Sequence, residues 1–292
     1  MLPALLRHLL PILPLAALVV LPAAAGAADA PGNAERGAYV LRLGGCVACH
    51  TDAKKKGPPL AGGAALTSPY GSFYAPNVTP DRETGIGGWS TEDFIRAMQA
   101  GKPPKGLPYY PAFPYTSYTR MTRQDLIDLK AYLDTVPPVR NQAPRHALHF
   151  PYNLRAAMVP WRWLFFDDKP FAPDPAKSAA WNRGAYIVNG PGHCSECHSP
   201  RNFFGAVIEN QAFAGTESGP DGKRIPGISQ HPKRGIGAWS AKDIAYMLSS
   251  GFKPDGDVIG GTMAEVVENA SSHWTDADRD AVAEFLKSLP AR

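Results

Sequence analysis

The sequence predicts an all-α chain made of two similar halves, and three observations predict it. Helix-start signals recur along the chain, each followed by apolar residues at helical spacing. Characteristic strings repeat about 150 positions apart. Strand-like alternation is nearly absent, and 28 glycines and 30 prolines fall largely in long loops between the helical stretches. At 292 residues the length suits two domains.

Gly37-Ala38-Tyr39-Val40, preceded by Arg36, opens the first half, and Gly184-Ala185-Tyr186-Ile187, preceded by Arg183, opens the second. Each is predicted to be an N-terminal helix. Middle helices follow Ser90 and Ser240, where an aspartate three residues on (Asp93, Asp243) completes a capping-box-like string. Last helices follow Thr122 and Thr275, with Asp125 and Asp278 in the same place. The hydroxyl caps an orphan N–H, and the acid complements the positive helix end. Phe94, Ile95, Ala97 and Met98 then mark one apolar face; Leu126, Ile127, Leu129 and Leu133 mark the next. Their counterparts are Ile244, Ala245, Met247 and Leu248, then Val282, Phe285 and Leu286. Gly101 and Gly251 end the middle helices, and Pro137 and Pro290 lie just past the last ones. Between helices, Pro76-Asn77-Val78-Thr79 matches Pro226-Gly227-Ile228-Ser229, and Gly85-Ile86-Gly87-Gly88-Trp89-Ser90 matches Gly235-Ile236-Gly237-Ala238-Trp239-Ser240.

The expected organisation is a leader over residues 1–28, a first domain over 29–139, a bridge over 140–180 and a second domain over 181–292. The leader has Arg7 and His8 before an apolar run from Leu9 to Leu21, then small residues suited to cleavage near 25–28. No later stretch has the roughly 18–20 apolar residues of a membrane span. The bridge carries Trp161-Arg162-Trp163-Leu164-Phe165-Phe166, too aromatic for a disordered linker. It is expected to pack across both halves; a docking patch is the rival reading. A formal net charge of +4 implies no nucleic-acid partner. Lys54, Lys55 and Lys56 form either a solvated loop or a patch that steers an acidic partner.

The chemistry concentrates in Cys46-Val47-Ala48-Cys49-His50 and Cys194-Ser195-Glu196-Cys197-His198. C-x-x-C-H is the attachment signature of c-type haem. Two thiols at short, fixed separation reach the two vinyl groups on one porphyrin edge, and the adjacent histidine turns its imidazole onto the iron. The chain has no other cysteine. A zinc site would bring two neighbouring knuckles together, whereas these pairs lie 148 positions apart. Two covalent haem c groups are therefore expected, bound through Cys46, Cys49, Cys194 and Cys197, with His50 and His198 on the irons. Haem-free chain is expected to be unfolded or loose, because each half is too small to pack such irregular loops unaided.

A second axial position remains on each iron. Gly260-Gly261-Thr262-Met263, between the last two helices of the second half, offers Met263 for the second haem. Met247 and Met98 sit on apolar helical faces and read as core. The first half has no methionine opposite Met263; Met121 is its candidate. Met121 also immediately precedes the Thr122 cap, where an apolar residue usually staples onto N4, here Leu126. Both readings stand. His146 and His149 are distant alternatives, and His193 reads as a surface residue.

Several strings resemble the cytochrome c subunits that accompany bacterial periplasmic alcohol, gluconate and fructose dehydrogenases. They are Phe73-Tyr74-Ala75-Pro76-Asn77-Val78-Thr79-Pro80-Asp81, Glu83-Thr84-Gly85-Ile86-Gly87, Tyr110-Pro111-Ala112-Phe113-Pro114-Tyr115, Trp181-Asn182-Arg183-Gly184-Ala185-Tyr186 and Gly192-His193-Cys194 through Asn202. The resemblance spans nearly all of the chain after the leader. It implies two tandem class I cytochrome c-like domains, each with a few helices around a covalent haem. It also implies a periplasmic dihaem cytochrome that passes electrons from a periplasmic or membrane-bound dehydrogenase towards an oxidase or quinone-chain acceptor. Those subunits commonly carry three haems, and their first module commonly has Met where Phe113 stands here. Lacking a third module, the chain is expected to meet a membrane through a partner. The rival class is a dihaem enzyme, peroxidase-like or thiosulfate-oxidising, with an open position at the first haem. No Ser/His/Asp constellation, phosphate loop or spare cysteine nucleophile points to other catalysis.

Overall fold

The computed structural model describes residues 29–219 and 222–292. The expected leader over 1–28 lies outside the described residues. The first half begins with α1 (Ala34–Leu43), which runs through a glycine pair into α2 (Cys46–His50). Strands β1 (Ala65–Ser68) and β2 (Gly71–Tyr74) form a hairpin, followed by α3 (Thr91–Ala100), α4 (Tyr115–Tyr118) and α5 (Arg123–Leu133). The bridge supplies β3 (Ala147–Leu148) and α6 (Met158–Phe165). The second half then repeats the order with α7 (Ala179–Asn189), α8 (Ser195–His198), α9 (Ala241–Ser250), α10 (Thr262–Asn269) and α11 (Asp276–Lys287).

The helix starts fall where the capping residues require. Ser90 and Ser240 each complete a reciprocal capping box with the aspartate three residues on. Thr122 and Thr275 each accept from the N–H of Asp125 or Asp278. Gly101 and Gly251 close the middle helices in the left-handed conformation.

The repeated Arg-Gly-Ala-Tyr string has a packing cause. α1 lies along α5, and α7 lies along α11. A Cβ at Gly37 would stand 1.9 Å from the Asp128 carbonyl oxygen, and one at Gly184 would stand 1.9 Å from that of Ala281. Only a hydrogen fits at either crossing. Phe94, Ile95, Met98, Leu126 and Leu129 fill the first core; Ile244, Met247, Leu248, Val282 and Leu286 fill the second.

The chain is mostly helical, with one small exception to the all-α expectation. β1 pairs antiparallel with β2 (Ala65 opposite Tyr74), and β2 pairs with β3 (Gly71 opposite Leu148). These strands are two to four residues long, too short to show a period of two in the sequence.

The bridge reaches both halves. β3 and the bond from Tyr74 N–H to His146 Nδ1 tie it to the first half, and Arg162 donates to the Ala100 carbonyl. On the other side Trp161 Nε1 donates to the Phe204 carbonyl at 2.8 Å, and Phe165 stacks on Phe204. Trp161 is buried, whereas Trp163 on the same helix is 88% exposed.

The halves also clasp each other directly and reciprocally. Tyr39 donates to Asp278 Oδ2 at 2.7 Å and accepts from the Thr275 N–H. Its counterpart Tyr186 donates to Asp125 and accepts from the Thr122 N–H. Each half's N-terminal helix thus caps the other half's last helix. Leu43, at the end of α1, belongs to the second core.

Candidate functional site

The two C-x-x-C-H segments are built the same way from the backbone upward. Each follows a tight turn in left-handed backbone, Gly45 (φ 59°) before Cys46 and His193 (φ 38°) before Cys194. Cys46 and Cys49 lie three residues apart on α2 and so share a face; Cys194 and Cys197 do the same at α8. The carbonyl of His50 accepts from Gly62 N–H at 2.7 Å, and that of His198 accepts from Gly215 N–H at 2.8 Å. Gly62 (φ 76°) and Gly215 (φ 81°) occupy the same left-handed position, and a Cβ on either would strike the peptide after Pro76 or Pro226. Thr51 Oγ1 accepts from Leu60 N–H, and Ser199 Oγ accepts from Phe213 N–H.

These loops deliver a proline carbonyl to each histidine. His50 Nδ1 lies 2.8 Å from the Pro76 carbonyl oxygen, and His198 Nδ1 lies 2.8 Å from that of Pro226. A carbonyl can only accept, so Nδ1 carries the proton and the lone pair is left on Nε2. Burial pushes both imidazoles below their ordinary value and outweighs the opposing carbonyl bond. A neutral imidazole, oriented from behind and offering Nε2, is what an iron ligand requires. Burial also pushes the Cys46 and Cys194 thiols up to about 12, the reverse of the lowered value that marks a reactive thiolate. Among the described residues no three His, Cys, Asp or Glu side chains converge as a structural zinc site would need. Paired thiols on one helical face, with a histidine held from behind, fit a covalently attached haem in each half.

The methionines divide as follows. Met98 and Met247 are buried in the two cores, as helical faces require. Met263 lies in the first turn of α10, part-buried against the second core. Met121 is buried in the first core together with Leu126, and its carbonyl accepts from Gln99 Nε2. His146 packs against Phe73 and Tyr110. Lys54, Lys55 and Lys56 are exposed, with Lys55 paired to Asp52.

The sequence did not disclose what joins the two attachment segments. His193, expected at the surface, is part-buried and packs edge-on against Tyr118 of the first half. Glu196, inside the second motif, accepts from Thr116 and Ser117 of α4 and pairs with Arg201 at 2.6 Å. Reciprocally, α10 packs against α2. The hydrogen bonds between halves join residues 61 or more positions apart, which no local pattern encodes.

This site and fold are those of a haem-binding electron-transfer protein, and comparison with known proteins agrees. The cytochrome c family profile matches residues 34–137. A "Diheme cytochrome c-type" protein of Cereibacter sphaeroides is 42% identical over 271 residues, covering 89% of this chain and 87% of that one. The "Fructose dehydrogenase cytochrome subunit" of Gluconobacter japonicus is 39% identical over 259 residues, covering 88% of this chain and 52% of the subunit. The "Alcohol dehydrogenase (quinone), cytochrome c subunit" of Gluconobacter oxydans is 39% identical over 266 residues, covering 88% of this chain and 55% of the subunit. The chain thus spans about half of these dehydrogenase subunits and most of the dihaem protein. It belongs to the cytochrome c family, whose members here are electron-transfer components.

Proposed function

We propose that the chain carries two haem c groups and passes electrons from a periplasmic dehydrogenase towards the respiratory chain. Cys46 and Cys49 would hold one haem as thioethers, and Cys194 and Cys197 the other. Nε2 of His50 and of His198 would take one axial position each. Met263 would supply the sixth ligand in the second half and Met121 in the first. The observation that carries the reading is the pair of matching bonds from His50 Nδ1 to Pro76 and from His198 Nδ1 to Pro226, both 2.8 Å. Each bound haem supplies reversible one-electron chemistry at its iron. The protein's part is to orient the imidazole, exclude water with the two apolar cores and fix the sites relative to each other.

Residues 29–139 and 181–292 would be tandem class I cytochrome c domains joined by the 140–180 bridge, exported with loss of a leader over 1–28. The dehydrogenase partner is supported by the names of the relatives. Among the described residues no helix is long and apolar enough to cross a membrane, so membrane association would run through that partner. Mass spectrometry of the exported protein tests the reading: two haem additions that survive acid–acetone extraction are expected, and bare polypeptide mass would overturn it. Met263→Ala and Met121→Leu should each remove part of the far-red ferric band that reports methionine on iron. A Met121→Leu spectrum identical to native would leave Met121 as a helix staple only.

A further inference from the structure

The segment joining the two attachment loops is unusual in ways that the haem sites themselves do not require. In the first motif the left-handed position before the first cysteine is Gly45; in the second it is His193, with φ 38°. A non-glycine residue there is strained, and such strain persists only where the surroundings hold it. The surroundings come from the first half. The His193 ring meets Tyr118 of α4, and its neighbour Glu196 accepts from Thr116 and Ser117 of the same helix. Tyr118 packs edge-on against the same ring, centroids 5.7 Å apart. Gly44 in turn has the space for a Cβ bounded by Cys46 Sγ and the Pro191 carbonyl. The Tyr118 phenol is close enough to Cys46, Cys49 and Glu196 to feel all three electrostatically. His193, next to Cys194, thus packs on Tyr118 of the first half, and Gly44, two residues before Cys46, lies close to the Pro191 carbonyl of the second, so the two attachment segments approach each other through these residues.

Among the described residues this contact has no counterpart at the matching positions of the repeat. The position 153 residues beyond Tyr118 is Ser271, whose hydroxyl turns away to the Leu248 carbonyl at 2.6 Å. The position matching His193 in the first motif has no side chain.

We propose that His193 and Tyr118 form the bridge that couples the two haem sites, the contact across which one electron passes between them. The inference rests on the two-haem reading above. One electron leaves ferrous iron at one site and reduces ferric iron at the other; no bond forms or breaks and no proton moves. Tunnelling falls steeply across gaps, so a bonded and packed path carries more than an unfilled one. His193 is a positioning residue, holding the Tyr118 and Cys194 segments in contact.

The test is the rate of one-electron equilibration between the haems of the intact protein, after a flash from an attached photoreductant reduces one of them. His193→Gly restores the residue found in the first motif, removes the backbone strain and is not expected to impair folding. Equilibration should slow several-fold, because a packed contact is replaced by an unfilled gap. His193→Phe, which keeps a ring for Tyr118 to pack against, should recover part of the rate. Tyr118→Leu should also slow exchange. Haem content by mass and the two reduction potentials are measured on each variant. With two haems bound, a native rate in His193→Gly overturns the bridge. A native protein without two haems instead overturns the reading beneath it.

Discussion

Around His50 and around His198 the chain makes the same contacts: a proline carbonyl on Nδ1, a left-handed glycine on the histidine carbonyl, and a hydroxyl accepting from the residue two before that glycine. Away from the histidines the halves diverge. Met121 and Tyr118 of the first half stand where Trp274 and Ser271 stand in the second, and Gly45 stands where His193 does. Trp274 Nε1 donates to the Arg42 carbonyl, so it serves the boundary between halves, whereas Met121 is confined to its own core. The difference separates two demands on one repeated unit. Presenting a histidine admits one loop geometry, so both copies keep it. The shared boundary has one middle, and residues that meet there need not match.

The largest effect expected from breaking this symmetry is at the helix crossings. Gly37→Val and Gly184→Val would each drive a side chain into a carbonyl that a Cβ alone would approach to 1.9 Å. Each should cost about 3 kcal/mol or more, since forcing apart well-packed elements costs that much or fails outright. Because Tyr39 and Tyr186 clasp the halves together, denaturant unfolding of either variant should show a single transition at a lower midpoint. Two resolved transitions, one of them unmoved, would show that the halves unfold separately.

What the sequence disclosed follows the same division. The helix caps at Ser90, Thr122, Ser240 and Thr275, the glycines at Gly37 and Gly184 and the cysteine pairs all act within a few residues or recur in both halves, so spacing exposes them. The role of Pro76 and Pro226 was visible only as a repeated string; their carbonyls reach the histidines after 26 and 28 residues of loop. The clasp by Tyr39 and Tyr186 was hidden inside a repeat that looked purely internal to each half. His193 read as a surface residue because its ring partner, Tyr118, comes from the other half. The three-stranded sheet escaped notice because β3 arrives from the bridge, more than 70 residues after β2.

The clasp itself offers the next comparison. Tyr39 and Tyr186 make matching bonds, but their carboxylates are not equally supported. Asp278 is also held by a bidentate pair with Arg183 at 2.8 and 2.9 Å. The counterpart arginine, Arg36, turns instead to Asp128 at 2.9 Å, so Asp125 accepts from Tyr186 and feels Arg183 through space rather than through a hydrogen bond. Tyr186→Phe should therefore cost about 2 kcal/mol and Tyr39→Phe about 1 kcal/mol, the range for hydrogen bonds to charged groups. Equal losses in urea unfolding would mean that Arg183 does not share the load. Smaller again, and equal between halves, are the capping boxes: Ser90→Ala and Ser240→Ala should each cost about 1 kcal/mol.

The smallest effect is confined to acid and sharpens the arginine comparison. Burial raises the Asp278 carboxyl, but the hydrogen bonds from Arg183 and Tyr39 lower it by more, so it lies below its ordinary value of 3.8. Asp128 behaves alike: burial raises it, and the bonds from Asn33 N–H, Arg36 and Gln124 bring it down further. A carboxylate whose value is depressed by folding contributes stability that is fully present above about pH 4 and is lost as pH falls through the folded value. In Asp278→Asn or Asp128→Asn that contribution is absent at every pH. The gap in urea midpoint between native protein and either variant should thus be constant above about pH 4 and narrow below it. Each half lends its arginine to one carboxylate, on α5 or α11, so the two gaps should close over the same acid window. A gap that stays constant to the lowest pH at which the fold persists would show that neither arginine stabilises its carboxylate.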